Sequence, residues 1–173
     1  MHKLRDIGIA ALLAALSMQA LAASGAEPQA LVTIDTGKLR GQVEDALAVY
    51  RGVPFAAPPI GDLRWRAPQP AAKWDGVKEA LKFGPRCQQL PLETAPWLSK
   101  GMVVSEGCLT LNVWGPKDTK KKVPVMVWIH GGAFTMGAGS EAPYQGQHLA
   151  GRGVVVVTST IACGRWATSL IRR

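Results

Sequence analysis

Val125-Met-Val-Trp-Ile-His-Gly-Gly-Ala-Phe134 passes from five consecutive apolar residues into a glycine pair with only His130 between them. The near-continuous apolar run from Val123 to Ile129 predicts a strand buried on both faces, which requires helices above and below its sheet. Gly131 and Gly132 open backbone angles closed to other residues and let another group approach the main chain, while Ala133 keeps the next position small. Backbone amides at such a turn are free to point outward. A glycine pair after a strand is most often only a tight turn, so the string alone leaves two readings: a chain reversal, or a pocket lined by amides.

Working outward, Leu109 to Trp114 has strand pattern and Gly115-Pro116-Lys117-Asp118 has turn chemistry. Gln147 to Gly151 predicts a short helix with its stop, and Val154 to Thr158 a second fully buried strand. Towards the N-terminus, Leu31 to Asp35 and Lys38 to Val43 alternate around Thr36-Gly37 as a hairpin with one wet face, and Leu47 to Tyr50 predicts a third strand. Residues 50–68, Tyr-Arg-Gly-Val-Pro-Phe-Ala-Ala-Pro-Pro-Ile-Gly-Asp-Leu-Arg-Trp-Arg-Ala-Pro, are too rich in proline for a helix or a central strand. They form either an ordered irregular segment or a linker. The class is α/β, with no internal repeat.

Cys87 and Cys108 enclose about twenty residues, a loop whose closure by a disulfide would constrain the unfolded chain by roughly 3 kcal/mol. Two buried thiols are the other reading, disfavoured if the chain is exported. The first residues favour export. His2, Lys3 and Arg5 make a basic start, Ile7 to Leu16 is a short apolar run, and Ala20-Leu21-Ala22 is a small-x-small cleavage site, so residues 1–22 read as a secretory signal peptide. The run is too short for a stable membrane span. The expected location is periplasmic or secreted.

Five strings together resemble the type-B carboxylesterase family, which includes cholinesterases and bacterial para-nitrobenzyl esterases. His130-Gly131-Gly132-Ala133-Phe134 is similar to the HGGG-type motif of α/β-hydrolases, with Trp128 before it and Gly137-Ala138-Gly139-Ser140 after it. Residues 52–65 resemble G-I-P-[YF]-A-x-P-P-x-G-x-L-R-[FW], and Trp74-Asp75-Gly76-Val77 and Phe83-Gly84-Pro85 continue the match. Ser105-Glu106-Gly107-Cys108-Leu109-Thr110-Leu111-Asn112-Val113-Trp114 resembles S-E-D-C-L-x-L-N-[VI]-[WY], except that Gly107 replaces the usual aspartate. The resemblance implies the N-terminal part of an α/β-hydrolase fold, truncated, over residues 23–158. It implies a small-molecule ester substrate, no cofactor, and oxyanion-hole donors at the amides of Gly132 and Ala133. It also implies a Cys87–Cys108 bridge, a buried ion pair between Arg64 and Glu106, and a structural rather than catalytic His130.

An esterase of this kind needs a serine on a G-x-S-x-G elbow, followed by an acid and a histidine. The sequence contains no G-x-S-x-G, and its other histidines are His2 in the leader and His148, expected to face solvent. No His, Cys, Asp and Glu spacing suggests a metal site. The net charge of +8 includes +1 from the leader and three arginines near the C-terminus, Arg165, Arg172 and Arg173. Lys120 to Lys122 sit in one expected turn, so no basic face points to nucleic acid. After Thr158 the resemblance stops. Related chains continue N-Y-R-L-G, whereas Ser159-Thr-Ile-Ala-Cys163 can be written TCA ACT ATC GCC TGC, which yields Asn-Tyr-Arg-Leu when read from the last base of the serine codon. Residues 159–173 therefore read as an out-of-frame tail, and a Val154–Val157 strand without neighbours is expected to be an aggregation hazard.

Overall fold

The structure, a computed structural model, describes residues 28–89, 101, 103–118 and 121–163. Seven strands form one sheet: β1 (Gln29–Ile34), β2 (Gly37–Glu44), β3 (Leu47–Pro54), β4 (Val77–Glu79), β5 (Thr110–Pro116), β6 (Val125–Ile129) and β7 (Val155–Ser159). The order is β1-β2-β3-β5-β7-β6, with β4 running parallel to β2 where β3 leaves it. A one-turn helix, α1 (Gln147–Ala150), precedes β7.

The first three strands are a meander joined by two-residue turns, since Ile34 pairs with Gly37 and Glu44 with Leu47. The second turn carries Asp45 at φ 52°, a left-handed angle that aspartate tolerates better than most residues. β3 runs four residues beyond the expected Tyr50, bending where its pairing with β5 shifts between Tyr50 and Val53. Most of the proline-rich segment is therefore ordered: Ala57 N–H bonds the Gln69 carbonyl at 2.9 Å and Gly61–Leu63 makes a single 3₁₀ turn. β5 likewise absorbs the expected turn residues Gly115 and Pro116.

Strand alternation divides the apolar residues between two faces. On one, Leu47, Val49, Trp114 and Val156 pack with Ala150 of α1, and Phe83 and Val154 close the cluster. The opposite face holds Leu39, Val53 and Ala80, with Tyr50, Trp74 and Leu111 against them. Registers through Val113↔Val157 and Val127↔Val157 put Val125, Val127 and Ile129 on this second face, at its bare end.

Two expectations are corrected here. The strand anticipated as buried on both faces, β6, is exposed at all five residues, from 43% at Met126 to 62% at Val125. Its pattern was read correctly as a strand that needs cover, but among the described residues only α1 and the Ala142–Tyr144 3₁₀ turn lie near it, and both lie on one face. Conversely, the valine run after α1 is not the unprotected one. β7 lies between β5 and β6, pairing antiparallel with the first and parallel with the second.

Candidate active site

The glycine turn begins at the C-terminal end of β6 and doubles back through Gly139. Left-handed angles fall on Gly132 (φ 110°), Ala133 (φ 52°), Phe134 (φ 60°) and Gly137 (φ 118°). Two of these are not glycine. Such angles cost a residue with a Cβ on the order of 1 kcal/mol or more, and they persist only where the surroundings impose them. Here the Gly132 carbonyl accepts three bonds, from Thr135 N–H (2.9 Å), Met136 N–H (3.3 Å) and Thr135 Oγ1 (2.8 Å). A Cβ at Gly132 would collide with the Met136 carbonyl, so the tight approach needs glycine. Residues 131–135 are exposed, and no hydrogen bond within the described structure occupies the amides of Gly132 or Ala133.

His130, by contrast, is buried at 4% exposure and spends both ring nitrogens on backbone. Nδ1–H donates to the Gly131 carbonyl at 2.8 Å and Nε2 accepts from Ile161 N–H at 3.4 Å. Gly137 lies against that ring so closely that a Cβ there would overlap Nδ1. The side chain braces the turn and has no lone pair left for a substrate proton.

The far end of the turn is held by groups that the sequence did not flag. Gln89 grips Gly137 with both amide atoms: Gly137 N–H donates to Oε1 at 2.6 Å, and Nε2 donates to the Gly137 carbonyl at 2.9 Å. Nε2 also reaches the Cys87 carbonyl (3.0 Å), and Arg86 Nη2 donates to Oε1 at 2.6 Å. Beyond it, Asn112 Nδ2 donates to Thr158 Oγ1 (3.1 Å), whose hydroxyl donates to the Gly139 carbonyl (2.7 Å), while Asn112 Oδ1 accepts from Gly52 N–H (2.9 Å). The sequence signal for Asn112 and Thr158 is that each interrupts an otherwise apolar strand. Gln89 gives none. Glu141 is buried as well, and burial pushes its carboxyl above the usual carboxylate range despite the opposing pull of His130 and Arg86.

Cys87 and Cys108 are bridged, with Cα atoms 5.0 Å apart. Arg64 and Glu106 are joined by bonds from Nη2 (2.6 Å) and Nε (3.0 Å) to Glu106 Oε2, but the Arg64 side chain is 46% exposed, so the expectation of a buried pair is corrected. The arginine lies on the proline-rich segment, and the Glu106 side chain is the less exposed of the two at 21%. An apolar cavity of about 240 Å³ lies between this loop and the disulfide, lined by Phe55, Leu63, Trp65 and Leu109, and includes neither Gly132 nor Ala133. His148 is exposed as expected. Cys163 is wholly buried, and burial pushes its thiol up. In the folded state it is therefore not the adventitious cross-linking site that a loose tail would supply. Among the described residues no group of three His, Cys, Asp or Glu side chains could hold a metal ion.

A parallel strand that ends in an exposed amide turn, joined to a sheet entered through antiparallel hairpins, defines the N-terminal part of an α/β-hydrolase fold. A profile of the carboxylesterase family matches residues 28–164. The chain belongs to the carboxylesterase family. It is 41% identical over 145 residues to fumonisin B1 esterase of Sphingopyxis macrogoltabida, covering 83% of this chain and 26% of that protein. It is 41% identical over 129 residues to para-nitrobenzyl esterase of Bacillus subtilis, covering 75% and 26%. Among solved structures, a para-nitrobenzyl esterase superposes with a TM-score of 0.75 at 40% identity, covering 79% of this chain and 28% of that one. The chain thus spans about a quarter of the length of the curated relatives it matches.

Proposed function

We propose that residues 23–158 are the N-terminal part of an exported carboxylic-ester hydrolase that works through a serine acyl-enzyme. In this reading the amides of Gly132 and Ala133 are two of the three donors that stabilise the tetrahedral oxyanion on a small ester substrate. The observation that carries it is the pair of unoccupied, exposed amides held in left-handed backbone that glycine alone does not account for. Such preorganised donors are the largest single contribution to acyl transfer. Export to the periplasm or beyond is supported by the leader pattern and the Cys87–Cys108 bridge.

These 173 residues carry no G-x-S-x-G nucleophile, so on this reading they supply amide donors and not the nucleophile. Residues 23–173 assayed on para-nitrophenyl acetate should give no rate above background, and a burst of nitrophenolate would overturn this. If one base is restored near codon 159 and the downstream sequence supplies serine, acid and histidine, activity on short activated esters should appear. Gly132→Val in that protein should lower kcat by about 10²- to 10³-fold with a smaller change in KM. An unaltered kcat in a folded variant would mean that Gly131 and Gly132 only turn the chain. The lack of a G-x-S-x-G among these 173 residues favours a second reading, a catalytically inactive product or a cholinesterase-like binding module.

A further inference from the structure

We infer that Gln89 is a positioning residue for the reaction, and that it acts on the proposed donors at Gly132 and Ala133 through Met136. The inference rests on the oxyanion reading of the glycine turn. Gln89 touches neither donor. Its Oε1 accepts from the N–H of buried Gly137 at 2.6 Å, and that N–H shares one planar trans peptide with the Met136 carbonyl. The opposite edge of the same peptide abuts Gly132, where a Cβ would collide with the Met136 oxygen. One rigid plane is therefore gripped by Gln89 on one side and rests against Gly132 on the other. A second link leaves Met136 itself, whose N–H donates to the Gly132 carbonyl at 3.3 Å. That carbonyl and the Ala133 N–H are the two ends of a single peptide and point in opposite directions. Whatever fixes the carbonyl also aims the Ala133 amide.

Gln89 is itself fixed before it meets the turn. Arg86 Nη2 donates to the same Oε1 at 2.6 Å, and Gln89 Nε2 donates to the Cys87 carbonyl at 3.0 Å. The backbone of Arg86 is bonded in turn to the Val103 carbonyl (2.9 Å) and the Ser105 N–H (3.0 Å), and Cys87 is bridged to Cys108. The remaining braces act elsewhere: His130 bonds the Gly131 carbonyl, and Thr158 and Thr160 bond Gly139. They hold the two ends of the turn, whereas Gln89 holds its return at the residue next to Met136. Loss of an oxyanion donor outright costs about 10²- to 10³-fold in kcat. Misaiming one by removal of a remote support, with the other braces still in place, should cost less, about 10- to 100-fold. A clamp that served stability alone would reduce the amount of folded enzyme and leave each surviving site at full speed.

The test uses the active, frame-restored protein, with working sites counted by the nitrophenolate released when a para-nitrophenyl phosphate triester is carried to completion on the serine. Per counted site, Gln89→Ala should lower kcat on para-nitrophenyl acetate by about 10- to 100-fold and change KM by less than about threefold. Binding of a trifluoromethyl ketone, whose serine hemiketal carries the oxyanion, should weaken by the same factor as kcat/KM. Gln89→Glu keeps the acceptor for Gly137 N–H and should restore most of the rate despite its lower stability. Activity is not the only readout. In the 173-residue chain Gln89→Ala should speed hydrogen exchange of the Met136 amide, which bonds the Gly132 carbonyl, together with that of Gly137. A Gln89→Ala kcat per site within about threefold of wild type, where Gly132→Val lowers it, would overturn the positioning role alone. Unaltered kcat in both variants would overturn the oxyanion reading with it. Exchange that speeds at Gly137 but not at Met136, or a Gln89→Glu rate as low as that of Gln89→Ala, would also overturn the proposal.

Discussion

Replacing Gln89 with alanine should loosen the glycine turn more than any change within the turn's exposed tip. The side chain is the acceptor for Gly137 N–H and Arg86 Nη2, and the donor to the Gly137 and Cys87 carbonyls. Gly137 is buried, so its amide and carbonyl find no ready water in the variant. Each lost bond is worth about 1 kcal/mol net, and a buried group left unsatisfied costs about 1 to 3 kcal/mol. Because one glycine relaxes as a unit, the combined loss should be about 2 to 4 kcal/mol, a large share of the 5 to 15 kcal/mol typical of a domain. At a urea slope of about 1 to 2 kcal/mol per molar, the midpoint should fall by about 1 to 4 M with the slope unchanged. Native-state exchange of the Gly137 amide should accelerate by about 30- to 1,000-fold, the same energies expressed as an opening equilibrium. Gln89→Glu keeps the acceptor for Gly137 N–H and Arg86 but sets a carboxylate oxygen against the Gly137 carbonyl, so it should fall between wild type and alanine. Gln88→Ala, at an exposed neighbour, is the control. A Gln89→Ala midpoint within about 0.3 M of wild type, with Gly137 exchange unchanged, would refute the clamp.

A double-mutant cycle on Arg64 and Glu106 should give a coupling of about 1 kcal/mol or less, because solvent screens a half-exposed pair; 3 kcal/mol or more would restore the buried-pair expectation. Glu141 should make stability fall as pH rises. Its carboxyl is held above the usual range in the fold, so through that window the folded state binds the extra proton, and the cost is complete above the raised value. Glu141→Gln should flatten the urea midpoint against pH just above the ordinary carboxylate range, and an unchanged slope would remove Glu141 as its source. Thiol titration with an aromatic disulfide reagent should detect nothing in the folded protein and one group, Cys163, on unfolding without reductant. Rapid labelling of the folded chain would show that Cys163 is not buried in solution.

The strands were legible because their signals are local. Alternation fixed β1 and β2, and unbroken apolar runs fixed β6 and β7, to within two residues, while β3 runs four residues past its expected end. The bridge between Cys87 and Cys108 was legible from the loop length and the export-like leader, and the resemblance pairs the same two residues. What stayed hidden depends on the surroundings. An apolar run states what cover a strand requires and not whether the chain supplies it, which is how β6 was expected buried and is exposed. L-R-W and S-E-G-C name the partners Arg64 and Glu106 but carry no measure of how deep the pair lies. Gln89 is one of two adjacent glutamines outside any periodic pattern, and its role exists only because Gly137 passes within 3 Å of both its amide atoms. The left-handed angles at Ala133 and Phe134 were missed for a related reason: sequence assigns such angles to glycine, and only the packed turn imposes them elsewhere.

The constraints on the turn share an origin that bears on how the amides are prepared. Gln89 and Arg86 belong to the disulfide segment, Asn112 to β5, Thr158 to β7, and Thr160 Oγ1, which accepts from Gly139 N–H at 3.3 Å, to the residues just after β7. None of them lies on β6, the strand that leads into the turn and has one bare edge. The far end of the turn that carries the proposed donors, Gly132 and Ala133, is therefore anchored by β5, β7 and the bridged segment. This separation matters for an oxyanion site, whose advantage lies in dipoles already aimed before charge develops. A turn held only by its own strand would shift with every change at the sheet edge. Held from β5, β7 and the bridged segment as well, the turn is braced from outside its own strand.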